Sequence, residues 1–162
     1  MENKVKIENL VSSRVILSMP DLRLRRVWEK KGAIKTVPFE QLEEAIYDPG
    51  VEALFRNGIL GIEDMEIKKK LGLEPEDAEE PINIIALSDK ERKEWLVDFS
   101  VAEFRSKIKD LPYEQVVELA NYAVDNEITN FEKSEILKRA VGIDVLSRVK
   151  LNRDNKAEVE EK

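Results

Sequence analysis

Neither cysteine nor histidine occurs anywhere in this chain. Without cysteine there is no disulfide, no thiolate nucleophile, and no cysteine-ligated zinc or iron–sulfur centre. Without histidine, the Ser-His and Cys-His pairs that activate most nucleophiles are excluded, as are histidine-ligated zinc and iron sites. Catalysis would have to rest on carboxylate, lysine or tyrosine groups alone. No apolar run approaches the roughly 18 residues that cross a bilayer. The segment from Met1 to Leu10 is charged at nearly every other position and has no apolar stretch of the signal-peptide kind. Neither a Gly-x-Gly-x-x-Gly pattern nor a Walker loop is found, so nucleotide binding lacks its sequence signature. These absences are consistent with a reducing compartment, and no cofactor is called for.

The 162 residues suit one domain or two small lobes, and 42% apolar residues suffice to fill a core. Charged residues reach 38%, against about 25% in ordinary globular chains, which implies many helices with one wet face. The formal net charge of −7 favours solubility and opposes general affinity for nucleic acid.

Period-two alternation dominates the first 37 residues. Val5 and Ile7 alternate with charged neighbours, Val15, Leu17 and Met19 share one face, and Leu22 and Leu24 oppose Arg23 and Arg25. Half-buried strands have this pattern. Pro20-Asp21 and Lys31-Gly32 read as turns, and Ile34 to Val37 as a short fourth strand, giving a small antiparallel sheet. Pro38 then opens a helix carrying Phe39, Leu42 and Ile46 on one face. A second short helix follows Asp48-Pro49-Gly50 and stops at Asn57-Gly58; Ile59 to Ile62 forms an apolar link; Asp64 caps a helix ending at Gly72. After an acidic loop, Ile82 to Leu87 reads as a strand returning to the sheet. From Ser88 onward the expectation is helix throughout. Three capping boxes support it: Ser88 with Glu91, Ser100 with Glu103, and Thr129 with Glu132. The fold class expected is therefore α+β: a β-rich lobe with short helices over residues 1–87, a helical bundle over 88–152, and a disordered charged tail over 153–162.

Charge is distributed unevenly. Residues 1–37 hold nine basic and four acidic side chains, whereas residues 38–80 hold four basic and thirteen acidic. The basic cluster Arg23, Arg25, Arg26, Lys30, Lys31 and Lys35 is followed by the acidic series Glu40, Glu43, Glu44, Asp48 and Glu52. The plainer interpretation, and the preferred one, is that the helix from Pro38 packs beside the sheet and the two sets neutralise each other. The functional interpretation is a strand-borne positive stripe that meets an acidic partner or phosphates. Head-to-tail contact between copies would use both signs. Trp95, beside Leu96 and Phe99, reads as core, whereas Trp28 at the end of the basic strand is as fit for an interface anchor as for the core.

Two carboxylate arrangements could carry metal chemistry. Asp21 with Glu66-Ile67-Lys68 has the residue types of a nuclease, two carboxylates for Mg²⁺ and a lysine beside the attacking water. The spacing is long, however, and Glu66 to Lys68 falls on a helix. Glu40, Glu43 and Glu44 are better explained as a wet helix face, and no metal site is assigned.

The stretches Arg26-Val27-Trp28-Glu29-Lys30-Lys31-Gly32, Asp48-Pro49-Gly50-Val51-Glu52 and Leu71-Gly72-Leu73-Glu74-Pro75 resemble small uncharacterised proteins encoded by tailed bacteriophages and prophages of Firmicutes. The resemblance implies a phage setting among virion or assembly genes and transfers no functional residue. Together these readings point to a non-catalytic structural or assembly protein, located in the host cytoplasm or the virion rather than secreted or in a membrane. Its expected partner is a protein, either another copy of itself or another virion component, with nucleic acid disfavoured. The interaction surface expected is Arg23, Arg25, Arg26, Trp28, Lys30 and Lys31. The alternative is an acidic inhibitor that imitates a phosphate backbone against a host nucleic-acid enzyme, using Glu40 to Glu52 and the loop from Glu74 to Glu80.

Overall fold

Alternating apolar and charged residues in the N-terminal segment build strands whose apolar face is fully covered. In the computed structural model, which describes residues 3–79 and 86–160, these are β1 (Lys4–Asn9), β2 (Val15–Met19), β3 (Leu24–Trp28) and β4 (Ile34–Pro38). Val5, Ile7, Val15, Leu17, Leu24, Trp28 and Val37 are all buried in one core. The strands do not form one continuous ladder. β1 pairs antiparallel with β4 from Lys4↔Pro38 to Glu8↔Ile34, while β2 and β3 form a separate antiparallel hairpin from Val15↔Trp28 to Met19↔Leu24. The apolar link after Gly58 supplies an unexpected short strand, β5 (Leu60–Gly61), which pairs with β1 on its other side and gives the order β4-β1-β5. Gly61 permits this because a Cβ there would lie 2.7 Å from Leu10 Cδ1.

Short helices cover the core of this first unit. α1 (Phe39–Ala45) buries Leu42 and Ala45, and α2 (Pro49–Arg56) buries Val51 and Phe55. The Asp48 carboxylate caps α2 by accepting from the amides of Gly50 and Val51, and Asp64 caps α3 (Met65–Lys70) in the same way. The turn after β1 is organised by buried Asn9. Its Nδ2 donates to Ser13 O at 2.9 Å and its Oδ1 accepts from Val11 N at 3.0 Å. The strand expected over Ile82 to Leu87 lies for the most part outside the described residues, and Ala86 and Leu87 are irregular.

The chain divides into two units, Met1–Ala86 and Leu87–Lys162. The second is helical: α4 (Asp89–Lys93) runs into a π-helical turn (Glu94–Asp98), followed by α5 (Val101–Ile108), α6 (Tyr113–Asp125), α7 (Phe131–Val141) and α8 (Val145–Glu160). Its core gathers Trp95, Leu96, Phe104, Leu119, Ala120, Leu137 and Val145. The three expected capping boxes fare differently. At Ser88 both arms form; at Ser100 the hydroxyl caps Glu103 N; at α7 the cap is Asn130, not Thr129, its side chain accepting from Lys133 N. Asparagine is at least as good an acceptor there as threonine. Gly142 ends α7 in the left-handed region, φ 74°. The tail expected to be disordered from Arg153 instead continues α8 to Glu160. Its lysine, alanine and glutamate residues are good helix formers, and Arg153 Nε meets Glu127 Oε1 at 3.1 Å.

Candidate interaction surface

The six residues expected to form one surface separate into three groups. Trp28 is not on the surface. Its exposure is 0% and its indole N–H donates to Ile7 O at 2.9 Å, so it locks the hairpin onto β1 from inside the core. The physical reason is register: Trp28 stands opposite buried Val15 and shares the inner face with Leu24, four residues before it. Arg26 lies on that same side and is only half exposed. Its Nε donates to Thr36 O and its Nη1 to Arg25 O, each at 2.9 Å. The guanidinium thus bridges β3 to β4 where no ladder joins them, a structural role rather than a free cation.

Arg23, Arg25, Lys30 and Lys31 are exposed. Leu22 belongs to a 3-10 turn (Pro20–Leu22), and Arg23 closes it in the left-handed region at φ 52°, so β3 begins at Leu24, two residues later than the alternation suggests. Arg25 faces outward opposite Ser18; one step along, Ile16 faces Val27. Ile16 is 45% exposed. The outer face of the hairpin is therefore an apolar pair flanked by arginine, with Arg14 and Glu29 paired at 3.5 Å at its far end. The apolar pair was not anticipated, although the alternation of β2 contained it.

The acidic helix does not neutralise these cations by direct pairing. Among the described residues, the ion pairs are Arg14–Glu29, Arg56–Glu52, Lys69–Glu66, Arg92–Asp89, Lys138–Asp144 and Arg153–Glu127. Arg23, Arg25, Lys30, Lys35, Glu40, Glu43 and Glu44 appear in none of them. Asp48 and Glu52, by contrast, are already engaged, one as a helix cap and the other with Arg56.

Asp21, Glu66 and Lys68 make no recognisable metal site. Asp21 is exposed on the 3-10 turn, Glu66 pairs with Lys69 at 3.5 Å, and Lys68 is buried in α3. No group of three or more carboxylates that could hold a metal ion is present among the described residues, and no described helix is long and apolar enough to cross a membrane.

A second surface feature runs from Ile34 of β4 across β1 to the segment that follows β5. A cleft of about 350 Å³ is lined by Lys4, Val5, Lys6, Glu8 and Ile34 on one side and by Gly61 to Asp64 with Ile67 on the other.

One buried ionisable group stands out in the second unit. Lys133 is 2% exposed and its ammonium donates to Trp95 O at 3.0 Å, Leu96 O at 3.0 Å and Phe99 O at 2.5 Å. Burial lowers its pKa, and the charges of Asp98 and Glu103 pull it back upward. With all three protons committed to carbonyls it closes the end of the π-helical turn and has no free lone pair for chemistry. Asp144 is also shifted, downward, first by the Ser147 amide and hydroxyl; desolvation opposes this, and Lys138 adds a lesser downward pull. It caps α8.

Comparison with protein-family models, with curated proteins and with solved structures found no match.

Proposed function

We propose that this chain is a non-catalytic binding protein whose first unit holds an acidic protein surface against the outer face of the β2–β3 hairpin. The observation that carries the proposal is the set of exposed cations without ion-pair partners among the described residues, Arg23, Arg25 and Lys30, beside exposed Ile16 and half-buried Val27. An apolar centre with an arginine rim is the composition of a protein interface. Opposed surface charge would steer the encounter and fix its register. The net charge of −7 opposes a polyanionic nucleic acid as the partner. The resemblance described above supports a phage setting, in which the partner is a capsid, tail or neck component, or another copy of the chain presenting Glu40, Glu43 and Glu44.

The test is charge reversal at Arg23 and Arg25 together. Both side chains are exposed and contribute no core contact, so circular dichroism should match the parent. Self-association measured by sedimentation, or recovery with purified particles, should weaken at least tenfold. Unchanged sedimentation and recovery would rule the hairpin face out.

A second reading has one observation in its favour: Glu40, Glu43 and Glu44 are exposed on α1 with no cation paired to them among the described residues. Such a face could imitate a phosphate backbone and inhibit a host nucleic-acid enzyme. Salt-sensitive binding to a basic nuclease, lost on Glu40→Gln/Glu43→Gln/Glu44→Gln and kept on Arg23→Glu/Arg25→Glu, would favour it over the hairpin reading.

A further inference from the structure

We infer that the free edge of β1 is a strand-addition site for an extended peptide of a protein partner that alternates acidic and apolar residues. This inference is independent of the hairpin face.

The backbone directions follow from the hydrogen bonds. Asn9 N donates to Ala33 O and Phe39 N to Asn3 O, so the odd-numbered residues of β1 direct their N–H and C=O groups toward β4. Even-numbered residues point the other way: Leu10 N donates to Ile59 O, and Glu8 pairs with Gly61. Continued by two residues, this ladder would set Lys6 opposite Glu63, and by four, Lys4 opposite Met65. It does not continue. After Gly61 the chain turns away, Asp64 caps α3, and pairing with β1 ends at Glu8. The N–H and C=O groups of Lys4 and Lys6 therefore face the cleft with no backbone partner among the described residues. Unpaired strand edges of this kind template another strand.

Side-chain chemistry then selects the occupant. A strand added in line with β5 places two residues directly opposite Lys4 and Lys6 on the exposed face, where opposite charges pair favourably across strands. The residue between them turns inward beside Val5, Ile62 and Ile67, which calls for an apolar side chain. The Asp64 carboxylate is committed to the amides of Glu66 and Ile67, at 3.0 and 3.4 Å. Glu63 on the far lip and Glu8 at the closed end restrict acids to the two positions facing lysine. The motif is acidic–apolar–acidic, about 10 Å of extended chain at ~3.3 Å per residue.

The experiment uses the full chain, isotopically labelled, titrated with acetyl-Thr-Glu-Val-Glu-Thr-amide and followed by amide chemical shifts and hydrogen exchange. We expect shifts confined to residues 4–8 and 61–67 and slowed exchange of the Lys4 and Lys6 amides. Methylating both glutamate amide nitrogens of the peptide removes its two N–H donors to the Lys4 and Lys6 carbonyls while keeping the charges, and should weaken binding at least tenfold. The Lys4→Glu/Lys6→Glu variant should prefer acetyl-Thr-Lys-Val-Lys-Thr-amide to the glutamate peptide. Three results would each overturn the inference: no shifts in these segments, shifts confined to residues 23–30, or equal binding of the methylated peptide. The methylation arm stands on the parent chain and decides the matter even if the double variant fails to fold.

Discussion

Replacing Lys133 with methionine tests the most demanding contact in the second unit. Methionine keeps the length and apolar packing of the stem but removes all three donors to Trp95 O, Leu96 O and Phe99 O. Helix ends leave their last carbonyls without intrahelical partners, and here one side chain from α7 serves three of them. A buried acceptor left unsatisfied costs about 1–3 kcal/mol. Against that loss, removing the ammonium abolishes its own desolvation penalty, which is several kcal/mol for a buried ion. Water reaching Phe99, which is half exposed, recovers part of the remainder. The ammonium also lies 5.7 Å from the Phe104 ring centre, a contact worth about 0.5–2 kcal/mol. The balance is a net destabilisation of about 2–4 kcal/mol. Urea denaturation followed by tryptophan emission should show a lower midpoint at unchanged slope. Amide exchange in α4, the π-helical turn and α7 should accelerate by a factor of about 30 to 1,000, since ~1.4 kcal/mol is tenfold. A variant within about 0.5 kcal/mol of the parent, with exchange unchanged in those elements, would refute the reasoning.

Three further outcomes are expected. Trp28→Ala should destabilise the first unit by about 3–5 kcal/mol, seen in its unfolding midpoint, because it empties a core site and strands Ile7 O; normal stability with selective loss of partner binding would restore Trp28 to the surface. Arg26→Ala should speed amide exchange in β3 and β4 while leaving the β1–β4 register intact, since its guanidinium bridges the two ladders; equal exchange would show the bridge to be idle. Asp144 titrates in the folded chain below its ordinary value, held there by the Ser147 amide and by Lys138. Its contribution is therefore complete above the unfolded-state value and is lost as pH falls through the folded one. Asp144→Asn, which keeps the cap and removes the charge, should flatten the acid limb of the stability curve; an unaltered limb would contradict this.

Strand and helix identities were readable because they depend on local periodicity. The alternation of Val5 with Ile7 and of Val15 with Leu17 shows one face of each strand, and the stripe of α6 shows one face of a helix. The division between a β-rich and a helical part was visible in the same way, as was the cap at Ser88. The α8 tail was misread because composition alone does not separate an exposed helix from a disordered segment when neither has an apolar face to bury.

The candidate surfaces were less accessible to that reasoning. Arg25 and Arg26 are adjacent in sequence and equal in charge, yet one faces solvent and the other spans two ladders. Period two gives them opposite faces, but that the inner one reaches Thr36 O depends on a strand ten residues away. Period two from Leu24 puts Trp28 on the inner face, but its hydrogen-bond partner Ile7 lies 21 residues away and leaves no local sign. The cleft beside Lys4 and Lys6 exists only because β5 pairs for two residues and then departs.

By itself, the order of residues determined which chemistry is absent, where each element begins to form, and which side of it avoids water. Those properties follow from composition and from neighbours within a few positions. Tertiary structure alone decided which cation is spent on a backbone carbonyl, which carbonyl the Trp28 indole meets, and which strand edge is left open. Each of these is a meeting of segments far apart in the chain, and a periodicity within one segment carries no record of what another brings to it.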